Sequence, residues 1–275
     1  MPKAKYLTLL SLSFLFTINI LSIYAQNSFA TFGSARSIGM ADANLAIKGI
    51  HGSFTNQAGL AFLEEFAVIV SAQNRFLLKE TQLSSFGIAL PTTSGTFGLN
   101  LHYFGFSDFN ESKVGINYSR KLGKDLAIAT QFDIFNTRIL EYGTTTTPTF
   151  ELGLIYRILQ NIEVGVHLFN PIRSTLQAEE KLPTILQFGF TYTPSKFLSI
   201  SLATEKDIET PFILKAGLEY LANEKFYLRV GIQSKGNLLN LGIGHQINRI
   251  QVNFAASYHA MLGFSPSIGV IFASK

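Results

Sequence analysis

Apolar and polar positions alternate along the chain from residue 66 to residue 272. Across residues 96–103, Phe97, Leu99, Leu101 and Tyr103 share one face, and Gly98, Asn100 and His102 share the other. Residues 126–134 repeat the pattern: Leu126, Ile128, Thr130, Phe132 and Ile134 oppose Ala127, Ala129, Gln131 and Asp133. The same alternation runs through 150–158, 212–220, 226–233 and 250–258. A period of two marks an extended strand with one apolar face. Fourteen strands are expected, starting near residues 66, 82, 96, 112, 126, 149, 161, 184, 197, 212, 225, 238, 249 and 264. Each strand with its connection takes about 15 residues, enough for the 9–11 that a tilted strand needs to cross a bilayer.

The connections alternate in length. One set is tight, at 91–95, 123–124, 159–161, 194–195, 222–224 and 248–249. The other is longer, at 105–111, 140–148, 170–183, 205–211 and 259–264. Outer-membrane barrels have short periplasmic turns and longer outer loops, and an even strand number returns both chain ends to the periplasmic side. The apolar face carries almost no charge in mid-strand, where a charge facing lipid costs about 2–4 kcal/mol. Asp133, Glu151, Arg157, Glu163, Lys215, Glu219 and Arg229 all fall on the opposite face, read here as the lumen. Their signs are mixed, so ion selectivity is not indicated. Pairing with one another, or with a segment inside the barrel, is expected. A soluble β-sandwich would alternate similarly. Regular strand length and apolarity on every strand favour the other solution: an all-β fold, a 14-stranded antiparallel transmembrane β-barrel. Glycines 87, 98, 115, 153, 165, 189, 217, 231, 242, 244 and 269 fall on the inner face. They either bend the strands or leave room for something in the lumen.

Composition agrees. Hydrophobic residues make up 47% and charged residues 15%, against a usual quarter charged. No long apolar run follows the N-terminus, so a helical membrane bundle is not the explanation. The net charge of +4 includes Lys3 and Lys5, and no basic stripe points to nucleic acid. Cysteine is absent, which excludes disulfides, thiolate metal sites, a cysteine nucleophile and lipid attachment at cysteine. Residues 1–25 read as a secretory signal: Lys3 and Lys5, an apolar stretch over 7–23, and a small-residue cleavage site before Gln26. An uncleaved anchor helix is the alternative. The expected organisation is therefore signal peptide 1–25, N-terminal plug 26–65 and transmembrane barrel 66–275, located in an outer membrane and in contact with its lipids.

Motifs for catalysis are missing. The five histidines are dispersed, with no HExxH spacing, no GxSxG elbow, no P-loop and no GxGxxG. No enzymatic activity, metal or cofactor is expected.

Residues 27–65 lack β alternation and carry a distinctive pair of stretches. The first is Ser34-Ala35-Arg36-Ser37-Ile38-Gly39-Met40; the second is Asn56-Gln57-Ala58-Gly59-Leu60. This segment resembles the FadL superfamily of outer-membrane barrels and, within it, the PorV/PorQ-like proteins. The matching plug-motif positions are Ala35, Arg36, Gly39, Met40, Asn56, Ala58, Gly59 and Leu60, with Gln57 standing where the family has proline. The resemblance implies fourteen strands and a plug in the lumen. It implies a non-enzymatic component or scaffold of protein secretion of the type IX kind, with secretion-system proteins as partners. The alternative it carries is a FadL-like transporter that passes hydrophobic small molecules through a lateral opening in the wall, with Phe29, Phe32, Phe54 and Phe62 as candidate ligand contacts. A purely structural barrel is the third reading.

Overall fold

The computed structural model describes residues 33–274 apart from 178–179 and 209. The expected signal peptide, Phe29 and Phe32 lie outside the described residues. Among the described residues sixteen strands follow one another: β1 (Ala67–Asn74), β2 (Gln82–Thr92), β3 (Gly95–Gly105), β4 (Phe109–Leu122), β5 (Leu126–Ile139), β6 (Gly143–Leu159), β7 (Ile162–Phe169), β8 (Thr175–Gln177), β9 (Glu180–Lys181), β10 (Ile185–Ser195), β11 (Leu198–Asp207), β12 (Ile213–Ala222), β13 (Phe226–Gln233), β14 (Asn237–Ile247), β15 (Ile250–His259) and β16 (Gly263–Ala273). All but β8 and β9 form a closed antiparallel barrel in which each strand pairs with its sequence neighbours, β7 with β10, and β16 with β1. The closing seam runs from Ala67 opposite Ala273 to Gln73 opposite Ser267. Closure leaves no strand edge, which lets a sheet exist in hydrocarbon, where an unpaired backbone amide has no water to turn to.

The alternation sets the two faces as the sequence predicts. Phe97, Tyr103, Phe132, Leu152, Leu214, Leu228 and Phe254 are exposed on the outer surface, whereas Asn100, His102, Gln131, Asp133, Glu151, Arg229 and Asn253 are buried inside. One end of the barrel has turns of two or three residues between β2 and β3, β4 and β5, and every later pair joined there. The other end carries the longer connections.

Two expectations about that second end need correction. The segments 105–111, 140–148 and 259–264 were expected as loops, but the strands continue and the connections shrink to 106–108, 140–142 and 260–262. The cause is clearest in β6, which begins at Gly143 rather than near 149. Thr144, Thr145, Thr146 and Thr147 carry no apolar alternation, so they read as loop, yet threonine is β-branched and favours strand. They pair with Arg138, Thr137, Asn136 and Phe135 of β5. The second correction is the 170–183 loop, which contains the small hairpin β8–β9.

Candidate functional site

The lumen is occupied by residues 33–62. They form one short helix, α1 (Ala35–Gly39), and two 3-10 turns, Ile50–Phe54 and Gln57–Phe62. Ser34 caps α1 by accepting from the Ser37 amide, and Asn56 caps the second turn by accepting from Ala58 N–H. These local bonds let irregular backbone sit inside a barrel, where every buried amide must find a partner. Gly49, at φ 100°, makes the sharp joint before Ile50.

The wall meets this segment where its glycines are. A Cβ placed on Gly217 would stand 2.6 Å from the Met40 carbonyl oxygen, on Gly165 2.7 Å from the Leu45 carbonyl oxygen, and on Gly242 3.1 Å from Gly39 Cα. Gly189 faces the Leu45 side chain, Gly87 faces Ser53 and Phe54, Gly231 faces Met40 and Ala41, Gly153 faces Asn56, and Gly269 faces Ala35. These glycines therefore make close approach possible for the segment. Gly98, Gly115 and Gly244 serve differently: their space is taken by the wall side chains of Asn117, of Asn100 and Asp133, and of Arg229 and Asn253.

The motif positions fall into this contact zone. Ala35 N–H donates to Ser71 Oγ at 3.1 Å. Arg36 reaches the wall at Glu219 with two hydrogen bonds of 2.8 and 2.5 Å. Gly39 and Met40 lie on the glycine seat just described. Asn56 donates to the carbonyls of Leu45, Leu154 and Val166, all within 3.3 Å. Ala58 packs with Ala61, Ala127, Ala129 and Ile155. Gly59 accepts from the Gly49 amide at 2.9 Å, and Leu60 is fully buried among Ile50, Phe54, Ile69 and Ile271. Gln57 donates to Glu151 Oε2 at 2.6 Å, a bond that proline could not make. His51, at the core of the segment, lies 3.1 Å from Ser34 Oγ. Burial first, with Arg36 and Arg229 nearby, holds its imidazole well below the ordinary value.

Of the candidate aromatic contacts, Phe54 is buried against Ile50, Leu60 and Ile69 and edge-on to His102. Phe62 lies between the ammonium groups of Lys48 and Lys121, at 4.8 and 5.0 Å from its centroid. Both rings fasten the segment rather than line open space.

The lumen charges divide into groups. Arg36 and Arg229 share Glu219. Lys48 of the segment pairs with Glu163, which Arg157 also approaches at 3.6 Å. Lys113 faces Glu151 at 2.7 Å and Asp133 at 3.9 Å. Lys215 pairs with Glu205 at 2.7 Å. Glu205 was missed in the sequence although it occupies an inner position after Ser199, Ser201 and Ala203. Among the described residues no group of three or more His, Asp or Glu is placed to hold a metal ion.

Two further features frame the segment. At the long-connection end, Leu83, Phe104, Phe135, Phe169 and Ile185 of the inner wall gather with Leu176 and Leu182 of the 170–184 connection into a buried apolar cluster. The sequence signal for it was doubling of apolar residues near strand ends, as in Tyr103-Phe104, Ile134-Phe135, Leu168-Phe169 and Ile185-Leu186. At the short-turn end, a recess of about 280 Å³ opens between segment and wall, with Arg36, Lys48, Glu163, Thr191, Lys196 and Tyr227 among its lining. The wall itself is continuous. Its register shifts, among the described residues, lie near strand ends at 157–159, 192–195 and 237–239. The expected lateral opening thus has no counterpart in mid-strand.

No protein-family model matches the chain, and no curated protein does. Solved structures do match. The CymD monoaromatic hydrocarbon channel superposes with a TM-score of 0.66 over 90% of this chain and 98% of its own, at 11% identity. The toluene transporter TodX of Pseudomonas putida gives 0.64 over 88% and 98%, also at 11% identity. A FadL homologue of Pseudomonas aeruginosa gives 0.57 over 88% and 97%, at 10% identity. The chain therefore has the barrel fold that these hydrophobic channels and the FadL homologue share.

Proposed function

We propose that the protein, exported through residues 1–25 as a secretory signal, carries hydrophobic small molecules across an outer membrane, with the short turns on the periplasmic side. The observation that carries this reading is the apolar cluster at the long-connection mouth, above the lumen's layer of charged groups. Five inner-wall side chains and two from the 170–184 connection bring four large aliphatic and three aromatic groups together there, whereas most of the larger inner-wall side chains elsewhere are Asn, Gln or charged. Aromatic and aliphatic surface of this kind suits a small apolar guest, because its transfer from water is favourable at about 25 cal/mol per Å² buried. The fold shared with hydrocarbon channels supports the same reading. The order of the two functions expected from the sequence is thereby reversed. Transport comes first, since no feature of the barrel favours a secretion scaffold.

In this reading the segment 33–62 is the barrier. Below the mouth the lumen is ionic, and an apolar guest crossing intact ion pairs would strip them of partners without replacing them. Passage therefore requires the segment to shift, and the recess beside Arg36 and Lys48 is the side on which it has space to do so.

The test is uptake. Cells producing the barrel are expected to take up toluene faster than cells without it, and Phe135→Asp, which places a charge in the mouth, to reduce uptake several-fold while leaving the barrel folded. Equal uptake with and without the protein would refute the proposal.

A further inference from the structure

At the short-turn end, the recess between segment and wall draws cations from three elements: Arg36 of α1, Lys48 of the segment and Lys196 of the turn between β10 and β11. We propose that this recess binds a small soluble phosphate, inorganic phosphate or a monoester, which on binding joins the segment to the wall. What the barrel transports does not enter the inference.

Charge comes first. The two carboxylates in the lining are each shared by two cations. Glu219 accepts from Arg36 at 2.8 and 2.5 Å and from Arg229 at 2.6 Å. Glu163 pairs with Lys48 and lies 3.6 Å from Arg157. Both groups carry a positive excess. Lys196 adds a further cation, so five cations meet four carboxylates once Asp125, 3.7 Å from Arg157, and Glu224, 2.5 Å from Lys196, are included. Those last two are 53% and 66% exposed, against 8% for Glu219 and 14% for Glu163. Water screens the exposed acids most, which leaves the recess itself positive.

The remaining donors suit a phosphate. Arg36 spends Nε and Nη2 on Glu219 and keeps Nη1. Lys48 and Lys196 each make one ion pair with an ammonium that carries three hydrogens. The hydroxyls of Thr193, Ser199 and Tyr227 complete the polar lining. A carboxylate has two oxygens and one charge. A phosphate monoester has three strong acceptor oxygens and a charge of about −1.5 to −2, so it engages several cations from different sides, and such charge-assisted bonds are the strong ones. A volume of about 280 Å³ holds that group with water or a small substituent. The lining lies on the inner face, where Thr191 stands opposite Glu163 and Ser199 opposite Glu219. Access is therefore from the aqueous side, and a lipid headgroup would have to fold over the turn at Lys196. Arg36 and Lys48 belong to the segment, whereas Lys196, Ser199 and Tyr227 belong to the wall, so one bound anion spans the joint.

The experiment uses the full barrel in maltoside micelles, which contain no phosphate. Inorganic phosphate is titrated in at constant ionic strength, with chloride and acetate as comparison anions. Binding is followed by calorimetry and by amide exchange at Ile47 and Gly49, whose N–H groups donate to Asn44 O and Gly59 O. One saturable site is expected, with exchange slowed about tenfold at ten times the dissociation constant. Lys196→Gln and Tyr227→Phe should each weaken phosphate binding several-fold. Glu163→Gln removes a competing acid and should tighten it, whereas a purely structural role for the Lys48 pair predicts only a looser segment. Phosphate that protects no better than chloride or acetate overturns the proposal, as does a Lys196→Gln barrel that binds as tightly as the parent. Micelles doped with phosphatidylglycerol are the second arm: protection by the lipid and none by inorganic phosphate overturns the soluble source. Should Glu163→Gln fail to fold, Lys196→Gln, in an exposed turn, decides it.

Discussion

Single residues in the segment hold conformations that only their surroundings justify. Ala41 and Asp42 both have φ 54°, the left-handed region that costs a residue with a Cβ roughly 1–2 kcal/mol. They turn the chain after α1 so that the Met40 and Ala41 backbone can rest on Gly217 and Gly231. Ala41→Gly should therefore stabilise the folded barrel by about 1 kcal/mol, read as a higher urea midpoint. Gly217→Leu should do the reverse, since Met40 occupies its space, and should expose the segment to protease while the barrel persists. His51 supplies a pH effect of its own. Its folded imidazole stays neutral, whereas in the unfolded chain it binds a proton near pH 6.5. The segment should thus lose stability as pH falls below about 6.5, and His51→Gln should flatten that limb in a thermal scan. The matched motif positions could be picked from the sequence, but their partners could not. Nothing local says that Arg36 meets Glu219 or Gln57 meets Glu151, because those contacts join residues 183 and 94 positions apart.

At the scale of elements, strand positions and faces were largely legible because a bilayer enforces the alternation along every strand. The errors fall at the strand ends, where the apolar alternation gives out. The threonine run of β6 has strand propensity without amphipathicity, and its partner Asn136 even bonds Thr146 through the side chains at 2.7 Å. Replacing residues 138–144 by an Asn-Gly turn keeps Thr137 opposite Thr145 and should leave the barrel closed, with an unchanged melting temperature and heat-shifted gel migration. The 170–184 connection is different, for it is held inward by Asn170. That side chain donates to Leu182 O at 2.8 Å and accepts from Thr149 Oγ1 and Ser174 N–H at 2.8 and 2.9 Å. Asn170→Ala leaves those groups unpaired, at about 1–3 kcal/mol, and should make the connection a preferred site of limited proteolysis.

For the whole molecule, the lumen is layered: an apolar mouth, an ionic layer, the segment, and a polar recess at the short-turn end. The two ion pairs that tie segment to wall among the described residues, Arg36–Glu219 and Lys48–Glu163, both border that recess. The Lys48 pair is the more exposed, so high salt should weaken it first. The barrel as a container was readable from periodicity, whereas the path and contacts of the segment inside it were not, because an irregular segment has no period to read. The glycine seat has one last consequence. A wall pared down to backbone for one tenant offers no side chains to refill the space if that tenant is cut away. A chain lacking residues 33–62 would leave a wide aqueous hole through the envelope, and cells making it should become sensitive to bulky hydrophilic antibiotics that the intact protein keeps out.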